Sequence, residues 1–410
     1  CNLCQQSKIS GFAHADPGRN ILVNPTLTAG YAQSRNGPGQ AFSSSGTNVD
    51  FGLDLSWSPT PNNTLSATYN PDFSQIEIDG AQLDVNTNFA LYFPEKRPFF
   101  LESADFFNTP TNLVYTRNIA DPDYGVRFTG RENEHTYGLF GAFDTQTNVL
   151  RPGPYRSRLG FIDGDSTDLI GTYRYNFSET ANIGTVITDR SGTDYSNQML
   201  SIDGRWLKGG HTVTAQLMQS HTEDALGYRS TPFSGNAYFV SYEYSDRNKS
   251  FNAAKRSFDP GFRADMGFVG QVDFEKSVIG GSYRWYFTEG FFNQLRINGD
   301  WDITHQISVD RLMEREIEAY VSAQGKMQSF MQAGGGTRVR YWNGVNYDEN
   351  FYTFYGEFKP YKSWNLSLFM RGGDQIDFRN NALGQIFGME AGVSGTLNDN
   401  ISIGFQYVDE

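Results

Sequence analysis

The sequence predicts an all-β protein, an antiparallel transmembrane outer-membrane β-barrel of about 18–22 strands with an inserted lumen or cap segment. Three observations predict it. Apolar and polar residues alternate with period two through much of the chain. Short turns alternate with longer polar connections. Aromatics make up 15% of the 410 residues and charged residues only 19%, with 43 glycines. That composition suits strands joined by polar turns.

The alternation is clearest in "VDFGLDLSW". Val49, Phe51, Leu53, Leu55 and Trp57 share one face, and Asp50, Gly52, Asp54 and Ser56 the other. Successive side chains of a strand point to opposite sides, so this strand has one apolar and one polar face. In "NQLRINGDWDI", Leu295, Ile297, Gly299, Trp301 and Ile303 oppose Gln294, Arg296, Asn298, Asp300 and Asp302. The segments at 168–177, 236–245, 350–359, 364–371 and 401–407 repeat the design. Arg296, Asp300 and Asp302 are therefore expected on the lumen side. A soluble stack of β-domains would alternate too, but no Pro/Gly linker divides this chain.

Turn formers punctuate the strands at 61–63, 178–180, 208–210, 246–248, 360–362 and 398–400. Longer polar connections fall at 34–47, 146–156, 221–235, 305–313 and 373–382. Turns on one side and loops on the other is the pattern of an outer-membrane barrel. The aromatics at strand ends would form its interfacial girdles. The expected organisation is a lead-in at 1–20 and a barrel domain at 21–410.

Residues 73–110 interrupt this order. "LYFPEKRPFFLE" places Pro94 and Pro98 around Glu95, Lys96 and Arg97, and a proline cannot donate to a strand ladder. Asp79, Asp84, Glu95, Glu102 and Asp105 stand among Phe89, Phe93, Phe99, Phe100, Phe106 and Phe107. This mix fits a plug or constriction inside a barrel, a cap over one mouth, or an ordinary loop. Lys96 and Arg97 are the candidates for pairing with lumen carboxylates or anionic solutes. A structural salt bridge to Glu102 or another acid is the competing reading.

The net charge of -13 argues against a nucleic-acid partner, which needs a basic face. It leaves membrane lipid open, because a barrel meets lipid through its apolar face. No stretch of 18 apolar residues is present for a membrane helix. Cys1 and Cys4 in "CNLC" lack the βαβ context of a redox motif, and His14 is the one histidine near them. A local disulfide, the edge of a missing domain, or a lipid on Cys1 are the readings they allow. "DGDSTD" at 163–168 resembles a calcium loop but lacks the later glutamate of an EF-hand, so a polar turn is preferred. The five histidines are scattered, and no nucleophile-elbow, zincin or Walker motif is present. No enzyme and no cofactor is expected.

"NPDFSQIEIDGAQLDVNTNFALYFPEKRPFFLESADFFNTPTNLVYTRNIADPDYGVRFTG", residues 70–130, closely resembles the 5916 family of domains of unknown function. So do 17–31, 259–274 and 375–384. The resemblance implies an outer-membrane-type barrel that usually follows a carbohydrate-binding, family-nine-like β-sandwich. It also implies further strands beyond "FQYVDE", and a barrel that the last strand here does not close. It implies no activity. Two functions follow as expectations: a porin-like conduit partly occluded by an internal segment, or a plugged barrel anchoring a glycan-binding or partner module. Partners would be outer-membrane lipid, a glycan or solute, and partner proteins.

Overall fold

The computed structural model describes residues 20–35, 37–71, 86–162, 164–224, 231–361, 363–398 and 401–409. Cys1, Cys4, His14, Asp79 and Asp84 lie outside them.

The chain opens with β1 (Ile21–Ser34), β2 (Ser43–Thr60) and β3 (Asn63–Tyr69). The non-strand segment that follows carries one helical turn, α1 (Pro98–Leu101), and 3-10 turns at Ala104–Phe107 and Thr116–Asn118. Strands resume with β4 (Pro122–Glu132) and β5 (His135–Asp144), then a separate hairpin of β6 (Thr147–Arg151) and β7 (Arg158–Ile162). Next come β8 (Ser166–Ser178), β9 (Ala181–Gly192), β10 (Tyr195–Lys208), β11 (His211–Asp224) and β12 (Phe233–Ser245). They are followed by β13 (Lys249–Phe258), β14 (Phe274–Tyr286), β15 (Phe292–Gln306), β16 (Arg311–Gly325) and β17 (Phe330–Trp342). The last are β18 (Val345–Tyr361), β19 (Trp364–Asp377), β20 (Ala382–Asn398) and β21 (Ile401–Asp409).

Among the described residues, all strands except β6 and β7 form one 19-stranded sheet. Each pairs antiparallel with the next in the chain, from β1 to β21. β1 and β21 are not paired with each other among the described residues.

At the sheet end holding 61–62, 133–134, 179–180 and 209–210, every connection is short. The large inserts lie at the opposite end: Asn70 to Asp121, 145–165 and 259–273. The first is longer than the 73–110 read from the sequence, and the second holds a hairpin where a plain loop was expected. The expected long connections at 305–313 and 373–382 shrink to turns at 307–310 and 378–381, because polar residues continue the strands there.

Burial runs opposite to that of a soluble sheet. In β10, Asn197, Ser201 and Asp203 are buried, while Leu200 and Ile202 between them are exposed. In β11, Gln216, Ser220 and Thr222 are buried, and Leu217 is 67% exposed. Val49, Phe51, Leu53 and Trp57 are likewise exposed.

The sheet is curved. Asn86 donates to the carbonyl of Ile376 in β19, and Glu102 accepts from Ser66 in β3. Eleven extended residues and one helical turn between them reach at most about 50 Å. Along a flat sheet, β3 and β19 would lie about 67 Å apart, fourteen strand spacings of about 4.8 Å. The polar face must therefore wrap round the segment.

A candidate conduit on the polar face

The segment from 86 to 121 is held first by its own chemistry. Pro98 takes the first helical position of α1, where a missing N–H costs nothing, and Arg97 before it is extended. The Glu95 carboxylate turns back on its own chain. It accepts from the backbone N–H groups of Lys96 and Arg97, from the Arg97 guanidinium at 2.9 and 2.8 Å, and from the Thr116 hydroxyl at 2.7 Å. Arg97 also donates to the carbonyls of Ile119 and Thr116 and lies 4.0 Å over the Phe100 ring. Burial pushes the Glu95 carboxyl up, but the Arg97 bonds and charge and the Thr116 hydroxyl outweigh it, holding it below the usual range.

Arg97 makes an ion pair within the segment, with Glu95 at 2.8 Å, in keeping with the competing reading of a structural salt bridge to another acid. Two residues apart, on a chain turned by flanking prolines, the two groups meet before either reaches the wall. Glu102 is the acid that does reach it: Arg127 of β4, itself buried, donates to Glu102 at 2.6 Å and to the Phe99 carbonyl. Asp105 faces Arg131 at 3.9 Å, both exposed.

More wall residues hold the segment's backbone. Thr172 donates to the Phe106 carbonyl, Arg174 to that of Asn108, and Gln216 accepts from Thr111 N–H. Asp144 caps the N–H groups of Ala120 and Asp121. Phe100, Phe107, Leu113 and Ile119 fill a buried cluster with Phe140, Ile170, Val186, Met199 and Met218, the apolar residues that these strands turn to the polar face.

Two buried ionic groups complete this side. Arg190 and Asp168 are both fully buried and bind bidentately at 2.7 and 3.0 Å; Arg190 also donates to the carbonyls of Asn148 and Asn118. Arg263, in the 259–273 insert, binds Asp265 at 3.0 and 2.8 Å and reaches Asp224 and Tyr195. Asn118 donates to the carbonyls of Asp265 and Gly267. Arg190 and Asp168 lie on different strands, so their pairing is not legible in the sequence; Arg263 and Asp265 are two residues apart, but Asp224 and Tyr195 come from other strands. Asp168, within the calcium-like stretch, serves as the Arg190 partner.

The opposite wall, β14 to β18, is lined by half-buried charges. Lys276 meets Asp302 at 3.1 Å, Arg338 meets Glu349 at 2.8 Å and Glu316 at 3.4 Å, and Arg340 meets Glu314 at 3.0 Å. Asp300 stands directly across from Glu318, and Asp302 from Glu316. Arg296 lies on the same face of β15, four residues before Asp300. A cavity of about 510 Å³ opens between this wall and the segment, touched by Phe89, Tyr155, Lys276, Glu314 and Trp342. Sequence parity alone placed Arg296, Asp300 and Asp302 on one face; it could not bring Lys276 beside Asp302.

Among the described residues no cluster of His, Cys, Asp and Glu could hold a metal ion. No helix among them is long and apolar enough to cross a membrane, which says nothing about strands.

No curated protein matches the chain. The crystal structure of Acinetobacter baumannii OccAB2 is similar with a TM-score of 0.38 at 10% identity, over 95% of this chain and 88% of that one. The crystal structure of the Ralstonia pickettii toluene transporter TbuX is similar with a TM-score of 0.16 at 11% identity, over 70% of this chain and 75% of that one. The model of the family described as Domain of unknown function (DUF5916) matches residues 25–137, which supports the resemblance read from 70–130.

Proposed function

We propose that this chain is an outer-membrane β-barrel protein that serves transport, a conduit narrowed by the segment at 86–121. The carrying observation is the inverted burial: polar side chains covered, large apolar ones bare. Burying one such apolar side chain is worth about 1.5–3 kcal/mol, so a face carrying many of them is unstable in water and at home in lipid. The polar face then lines a lumen, and the segment at 86–121, the β6–β7 hairpin and the insert at 259–273 enter it from one mouth. Domain limits follow: a wall from 21 onward, with the first insert as a constriction.

Reconstitution into planar bilayers tests this. Stepwise single-channel conductance is the expected result, and an assembled barrel that passes no ions counts against it. The buried Arg190 and Arg263 groups favour a second reading, since they bolt the inserts to the wall: a permanently filled barrel anchoring a glycan-binding or partner module. Silent bilayers with correctly inserted protein favour that reading.

A further inference from the structure

Arg284 of β14 and Arg296 of β15 stand directly opposite each other. They lie on the polar face, since Asp300 and Asp302 share the parity of Arg296 and Lys276 that of Arg284. Side chains so paired start from Cβ atoms about 4.5–5.5 Å apart, and like charges there destabilise the sheet. Both Nε atoms are buried and lack a hydrogen-bond partner. Among the described residues neither guanidinium has an ion pair, hydrogen bond or ring contact of any kind.

Nearby acids do not relieve them. The adjoining polar-face positions are Ser282 and Asn298, paired with each other, Tyr286 and Gln294, likewise paired, and Ser322, opposite Arg296. Asp300 is four residues along β15, about 13 Å at strand rise. Every other charged group on β14 to β18 described above has a counter-ion or an acidic neighbour; these two have only each other. Two guanidinium forks on opposed strand positions, with hydroxyl and amide residues next to them in register, offer the donors that the planar oxygens of a carboxylate or phosphate accept from.

We propose that Arg284 and Arg296 form a binding site for a solute oxyanion, a carboxylate or a phosphate, near the short-turn end of the polar face. The proposal rests on the conduit reading for the route by which the solute arrives. The bound anion removes the like-charge repulsion and completes the orphaned donors. The site would therefore bind the anionic group of a passing solute beyond the acidic wall at Asp300 and Glu318.

The experiment uses the full chain in detergent. Thermal unfolding is followed against inorganic phosphate, and separately against acetate, with chloride balancing ionic strength. One or both oxyanions should raise the melting temperature, and Arg284→Gln or Arg296→Gln should raise the half-saturating concentration about tenfold. The double variant should lose the response, while Arg247→Gln, in an exposed turn, should keep it. No response to either anion in the unaltered protein overturns the proposal, as does an unchanged response in the double variant. Bilayer conductance separates the two ideas. Conductance without an oxyanion response defeats the site alone; a response without conductance defeats the conduit alone.

Discussion

At the scale of single residues, parity along a strand decides environment, and neighbours can be set against each other. Leu217 is bare and Gln216 beside it is covered. Leu217→Arg should cost about 2–4 kcal/mol of folding free energy in a bilayer if Leu217 sits near its midplane. Urea unfolding in lipid vesicles measures it, and a near-zero change would count against a lipid-facing Leu217. The buried pair gives a second expectation. Asp168→Asn leaves Arg190 charged, buried and half-partnered, and removing one member of such a pair typically costs about 3–5 kcal/mol. Equilibrium unfolding of the variant checks this. Glu95 carries a pH dependence of known sign. Its folded carboxyl titrates below its ordinary value of 4.5, so its stabilisation is complete above that value and fades as pH falls through the lowered one. Protease resistance at 91–102 should drop in that acid window, and Glu95→Gln should be weaker at neutral pH and show no such drop.

At the scale of elements, the strands and the existence of the first insert are legible in the sequence; the docking of that insert and the other two inserts are not. Alternation is a local property, so a window such as 49–57 or 293–303 contains its own evidence of two faces. The segment at 86–121 takes its shape from bonds to β4, β5, β8 and β11, which no window contains. The Glu95–Arg97 pair is a partial exception: two opposite charges two residues apart inside a proline bracket could have been read as self-satisfying. The docking of the hairpin β6–β7 and of the insert at 259–273 depends on partners that only the fold brings together, Arg190 on the Asn148 carbonyl and Asp224 and Tyr195 on Arg263. Removal of 89–107 should raise conductance while the sheet stays assembled, at lower thermal stability, since Phe140, Ile170 and Val186 lose their cover. Unchanged conductance in the folded deletion would refute a constriction there.

At the scale of the whole molecule, charge is unevenly distributed around the polar face. Asp300, Asp302, Glu314, Glu316, Glu318 and Glu349 face Lys276, Arg338 and Arg340 on β14 to β18, an acidic cluster set apart from Arg284 and Arg296 nearer the short-turn end. The net charge of -13 foretold neither its place nor its partners. In a passage no wider than the screening length of about 8 Å, such a wall favours cations. A salt gradient across the bilayer should give a cation-selective reversal potential. Asp300→Asn with Glu318→Gln should move it toward zero. An unmoved potential would place the permeation path elsewhere.

The sheet has nineteen strands among the described residues, an odd number, and in a meander where each strand reverses the last, the first and nineteenth point the same way. If β1 and β21 met edge to edge, their seam would be the single parallel ladder in an otherwise antiparallel wall, with slanted and slightly weaker bonds. One further strand between them, from any source, would make the count even and the seam antiparallel like the rest. In hydrocarbon neither edge can stay bare, because each unpaired backbone group there costs several kcal/mol. The parity of the sheet thus makes the seam the place where this wall either breaks its own rule or takes in a strand from outside it.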